Sequence, residues 1–140
     1  MDEQAINFYT EDVDFQLGQA QKITAWIEKT IQEEGGQLSF INFIFCSDTY
    51  LHKINLEHLN HDTYTDIITF PYSETELESD IFISIDRVRE NAASFEVSFE
   101  QELHRVMIHG VLHLLGQGDK SAAEKKEMRA KEDFWLERLA

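Results

Sequence analysis

Residues Ile108–Lys120 read IHGVLHLLGQGDK. The run begins apolar and closes on two glycines and a charged pair, the pattern of a helix that stops and turns sharply. His109 and His113 stand four apart on it. At about 100° per residue they differ by about 40° around the axis, so both imidazoles face the same way. Two nitrogens placed like this can share one metal ion. Gly116 ends the helix, Gly118 loosens the backbone, and Asp119 then returns a carboxylate beneath the histidines. His-x3-His-x5-Asp leaves a fourth position open for water, the pattern of a catalytic zinc rather than a structural one. The expected metal ligands are therefore His109, His113 and Asp119 on one Zn2+ per chain, the ion and its bound water carrying the chemistry. Nickel, cobalt or iron would also suit these donors. No side chain is assigned as general base or as a substrate contact.

The neighbours of the pair read as structural. His104 lies about 140° from His109 around the helix and is expected on the surface. Leu112, Leu114 and Leu115 are expected in the core, with Gly110 allowing close helix packing. Gly110 also stands where zinc peptidases of the H-E-x-x-H type carry their glutamate base, so that base is missing.

Working outward, Ser98 and Gln101 form a capping box that opens this helix, and Asp86 is expected to cap the one before it, through Phe95. Ser121 and Glu124 form another box, opening a last helix with Met128, Phe134, Trp135 and Leu139. Towards the N-terminus, Leu17, Ala20, Ile23, Ile27 and Ile31 predict a helix over 17–34, ended by Gly35 and Gly36. Leu38–Cys46 (LSFINFIFC) predicts a largely buried strand, and Ser47 or Asp48 caps a helix over 49–59. Residues 4–9, Asp66–Phe70 and Asp80–Ile85 are further strand candidates, with an exposed loop over Ser73–Ser79. This order predicts one α/β (α+β) domain over 1–140, a small mixed sheet of about four strands with about five helices.

Composition narrows the function. The 140 residues hold 27 acids against 12 Lys and Arg, a net charge of −15. That excludes a general phosphate binder and an anionic membrane surface as the main partner. No stretch approaches the roughly 20 apolar residues of a bilayer span, and the start lacks a signal-peptide pattern, so a cytoplasmic location is expected. Cys46 is the only cysteine, which rules out an intramolecular disulfide and suits a buried small side chain; no disulfide-linked partner is expected. Residues 119–140 are neutral, with 6 acids and 6 bases, so residues 1–118 hold the entire −15 and any polyanion contact is expected at the neutral C-terminal stretch and around the metal ion.

HGVLHLLG followed by a short turn and a ligating side chain resembles the signature of the YbeY family of bacterial rRNA maturation endoribonucleases. Ile54–Tyr72 (INLEHLNHDTYTDIITFPY) resembles that family's helix and loop leading into a strand, and Ser79–Ser84 its G-D-I-x-I-S strand. The terminal helix, with Glu127, Met128 and Glu132, fits as well, so the likeness spans the chain. The resemblance implies a zincin-like fold with a bound zinc. It also implies a single-strand-specific, metal-dependent endoribonuclease, acting in rRNA maturation at the 16S 3′ end and in ribosome quality control. Its partners would be rRNA and the small ribosomal subunit. Two departures stand out: Asp119 occupies the position of the family's usual third histidine, and Leu59 that of its usual arginine. A leucine cannot hold a phosphate, so either another cation such as Lys53 or Lys120 substitutes or the catalytic role differs in this branch. Tyr64 replaces the family's proline, Thr65 and Asp66 are expected to orient the start of a strand, and His58, His61 and Asp62 sit on a polar surface loop within reach of substrate. The alternatives are a metallopeptidase-like hydrolase and a non-enzymatic ribosome-assembly factor.

Overall fold

Leu38–Cys46 is β2, an interior strand whose side chains are buried on both sides of a four-stranded sheet. The computed structural model describes residues 5–61 and 63–139. Within them the order is β1 (Ile6–Thr10), α1 (Ala20–Glu33), β2, α2 (Asp48–Leu59), β3 (Ile67–Pro71), β4 (Leu77–Ser84), α3 (Ile85–Phe95), α4 (Phe99–Leu114) and α5 (Ala122–Leu139). The strands lie in the order β1-β2-β4-β3, with β1/β2 and β2/β4 parallel and β3 antiparallel on the edge. Pro71, which has no N–H to give a ladder, sits at the end of that edge strand.

Both faces are covered, which is why β2 is mostly apolar; its polar exceptions, Ser39 and Asn42, donate to Glu78 and Asp80 of the neighbouring strand. Ile41, Phe43 and Phe45 of β2 and Ile81 and Ile83 of β4 pack with α1, α4 and α5 in the main core. Phe82 of β4 and Ile68 and Phe70 of β3 turn the other way and meet Leu51 and Ile54 of α2. Trp26 of α1 ties the helical layer together by donating from its indole N–H to the Trp135 carbonyl at 2.7 Å. Trp135 in turn donates to Glu34 Oε2 at 3.1 Å. At Gly110 an added Cβ would lie 2.8 Å from Ile67 Cδ1 and 3.5 Å from Ile81 Cδ1, so the glycine lets α4 press onto β3 and β4.

Several boundaries differ from expectation. The first strand runs Ile6–Thr10 rather than over 4–9, and residue 4 lies outside the described residues. α1 begins at Ala20, and Leu17 packs on the core from the preceding loop. β4 starts inside the expected loop, because Leu77 and Ser79 pair with β2 and are buried. Ser84, not Asp86, caps α3 by accepting from Arg87 N at 3.1 Å, while Asp86 accepts from Asp48 N at 2.9 Å. Phe134 is exposed, and Leu114 and Leu115 are only partly buried. Both capping boxes form as expected.

Candidate metal centre

The site is made where α4 ends and α5 crosses back over it. Ser98 fixes the start of α4, its hydroxyl accepting from Gln101 N at 3.1 Å while Gln101 Oε1 accepts from Ser98 N at 3.2 Å. At the other end Gly116 takes φ +100, donating to the His113 carbonyl, and Gln117 donates to the Leu112 carbonyl, both at 3.0 Å. This paired closure leaves the chain free to reverse within two residues. The reversal carries Asp119 back, and its Oδ2 comes to 3.3 Å from His109 Nε2.

α5 supplies the other side. Glu132, 5% exposed, accepts from His109 Nδ1–H at 2.7 Å through Oε2 and from Arg105 Nη1 at 2.9 Å through Oε1. Arg105 also donates to Asp133 at 2.7 Å. The Glu132 bond raises the pKa of His109 above the ordinary histidine value, with burial opposing it. With Nδ1–H committed to Glu132, the imidazole presents Nε2 towards Asp119 and the cavity beyond.

That cavity, about 260 Å³, is lined by His109, His113, Asp119, Asp66 and Gly110, with Thr65, Ile67 and Thr69 of the β3 edge. His113 is exposed and lines the same space one helical turn from His109. All three expected donors therefore face one cavity, but only His109 and Asp119 are in contact. Among the described residues no three His, Cys, Asp or Glu side chains close into a ready cage. The donor set nevertheless suits a divalent ion: two imidazoles, one carboxylate, and an outer carboxylate on the far nitrogen of His109.

Asp66 serves in two ways. Its carbonyl accepts from Ser84 N at 2.9 Å, setting the start of β3 as expected, while its carboxyl group faces the site. Burial raises its pKa, opposed by its own backbone N–H and by His109. Neither Lys53 nor Lys120 lines the site: Lys53 pairs with Glu57 at 3.9 Å on the α2 surface, and Lys120 is exposed on the turn. The cations that do line it are Arg105, Lys125 and Arg129, in an adjoining cavity of about 380 Å³ shared with His109, Asp119 and Glu132. Arg105 carried no signal in the sequence, because its partners are 27 and 28 residues away. Buried Glu102 was missed for the same reason; burial raises its pKa, and Arg105 and Arg129 oppose this.

The remaining candidates are structural or peripheral. His104 is half-buried rather than on the surface, its ring 6.4 Å from that of Trp26, and burial lowers its pKa. His58 sets its ring edge-on to Phe70 at 6.1 Å, and Tyr64 stacks on His52 at 4.3 Å. His61 and Leu59 line a further hollow beside Thr65, Ile67 and Thr69. Asp62 lies outside the described residues. Cys46 is fully buried, as expected, and among the described residues no helix is long and apolar enough to cross a membrane.

A family model described as Endoribonuclease YbeY matches residues 5–140. A protein of that name from Amoebophilus asiaticus is 51% identical over 133 residues, spanning 94% of this chain and 90% of its own. Another from Christiangramia forsetii is 52% identical over 134 residues, covering 95% and 93%. The solution structure of TM1509 from Thermotoga maritima superposes with a TM-score of 0.69 at 28% identity, covering 96% of this chain and 88% of that one.

Proposed function

The chain belongs to the endoribonuclease YbeY family, and from that premise we propose that it is a zinc-dependent endoribonuclease. Its substrate is single-stranded RNA in rRNA maturation, including the 16S 3′ end, with the small ribosomal subunit as partner in the cytoplasm. The observation that carries the metal dependence is His109 wedged between two carboxylates, Glu132 at 2.7 Å on Nδ1 and Asp119 at 3.3 Å on Nε2. A histidine ligand needs one nitrogen anchored and the other aimed at the site, and Asp119 beside Nε2 is a second donor that an ion there would share.

His109, His113 and Asp119 would hold the ion. When bound, a divalent cation there polarises a phosphoryl oxygen and lowers the pKa of water. Glu132 fixes the ring of His109, and Arg105 in turn fixes Glu132, so the donor direction is set before substrate arrives. The β3 edge beside the cavity, with Thr65, Ile67 and Thr69, forms one wall along which a strand can lie.

A peptidase reading is disfavoured by geometry as well as by residue type. The position after His109 projects onto Ile67 and Ile81, so a glutamate there would have to displace the sheet contact. The test is RNA cleavage by protein purified without added metal, before and after chelation and zinc return. The proposal predicts loss on chelation, recovery with zinc, and no cleavage by a His109→Ala, His113→Ala double variant. Full cleavage by the metal-free protein contradicts it.

A further inference from the structure

Three hollows join into one trough beside β3. The hollow at the C-terminal end of α2, lined by Leu59 and His61, shares Thr65, Ile67 and Thr69 with the metal cavity. The metal cavity shares Asp66, Ile67, His109 and Asp119 with the hollow beneath α5. The two ends differ in charge. Among the described residues no Lys or Arg lines the α2 end, where Leu59 stands, whereas Arg105, Lys125 and Arg129 line the α5 end.

Those three cations are not equivalent. Arg105 is spent on Glu132 and Asp133. Lys125 and Arg129 are exposed, stand one helical turn apart on α5, and make no hydrogen bond or ion pair with any described side chain. Buried Glu102 of α4 lines the same hollow as Arg129 without pairing with it. A guanidinium fork and an ammonium four residues apart suit one bridged or two consecutive phosphates.

Resting on the nuclease reading above, we propose that Lys125 and Arg129 hold the backbone phosphate of the RNA strand next to the metal cavity. The strand is thus gripped at the α5 end, while no Lys or Arg among the described residues meets it at the α2 end, where Leu59 stands. The pair also explains how a chain of net charge −15 approaches a polyanion: the grip is two local cations, not a basic surface.

The test uses a short fluorescein-labelled 2′-O-methyl oligoribonucleotide, which resists cleavage, and reads anisotropy against salt with zinc-loaded full-length protein. Lys125→Ala/Arg129→Ala is expected to bind at least about tenfold more weakly, its log–log salt slope shallower by about 0.7 for each phosphate no longer neutralised. Lys29→Ala/Lys126→Ala removes the same charge from exposed positions outside the trough and is expected to bind like the wild type. The exchange Lys125→Arg/Arg129→Lys keeps both charges and should stay within about threefold. Equal weakening in both alanine pairs, or no binding by the wild type, overturns the proposal. Cleavage of unmodified RNA is scored separately. Selective loss of binding without any cleavage upholds the phosphate pair and sinks the nuclease reading; cleavage with no selective loss does the reverse.

Discussion

α2 and α4 pack on opposite faces of one sheet and both carry histidines, yet only α4 has turned them towards a shared cavity with carboxylates. On α2, His58 lies edge-on to Phe70 and His52 is stacked on Tyr64. On α4, His109 has a carboxylate on each ring nitrogen. The helices themselves are not what differs. α2 meets the sheet, a surface loop and, at its start, α3, whereas α4 is crossed by α5 and followed by a turn that folds back on it. Aromatic neighbours leave an imidazole as packing. Carboxylates reaching it from another helix and from a reversing turn fix the direction in which it points.

The sharpest way to break this contrast is to remove one histidine from each helix. His109→Ala should abolish zinc binding measured by calorimetry, while His58→Ala should leave it unchanged. Loss of zinc in both would mean that the α2 side takes part after all. Next in size is Glu132→Gln, which keeps the shape but weakens the acceptor on His109 Nδ1; zinc affinity should fall about 10- to 100-fold. An affinity equal to wild type would reduce Glu132 to a partner of Arg105 alone.

The helix ends offer a smaller comparison. Both helices close on a left-handed residue, Asn60 at φ 55 after α2 and Gly116 at φ +100 after α4. Gly116→Ala should cost about 1–2 kcal/mol in urea unfolding, because a Cβ is unfavourable at positive φ. Asn60→Gly should change stability by only a few tenths of a kcal/mol, since asparagine already tolerates that region. The reverse ranking would show that the turn to Asp119 is not held by Gly116.

An effect confined to alkaline pH concerns the α2 face of the core. Burial pushes the Cys46 thiol from 9.0 up to about 12, with Asp12, Glu11 and other nearby acids adding to it. Because the folded value is the higher one, the thiol's contribution to stability is complete below pH 9 and is lost as pH rises towards 12. Cys46→Ala should therefore lose less stability than wild type between pH 9 and pH 11, followed by circular dichroism in urea. A parallel decline in both proteins would remove Cys46 from the alkaline transition.

Local signals carried much of this structure in the sequence itself. Leu38–Cys46, the helix periodicity of α1 and both capping boxes are properties of short windows, and they formed where the residues pointed. The spacing of His109, His113 and the glycine turn likewise placed three donors at one cavity. What stayed hidden depended on partners far along the chain. Leu77–Ser79 resembles loop until β2 pairs with it, and Ser84 displaces Asp86 as a cap because Asp86 is drawn to Asp48 N. The roles of Arg105 and Glu102, and the trough that gives Lys125 and Arg129 a position, arise only when α5 crosses α4.

The central claim is that His109, His113 and Asp119 converge on one ion with Glu132 behind His109. Its most direct test is a crystal of protein purified without added metal, with anomalous diffraction collected above and below the zinc edge. The account predicts one zinc bound by both histidines and Asp119, with Zn–N distances of about 2.0–2.1 Å and Glu132 still on His109 Nδ1. A zinc held elsewhere, or the same cavity without an ion at saturating zinc, would contradict it.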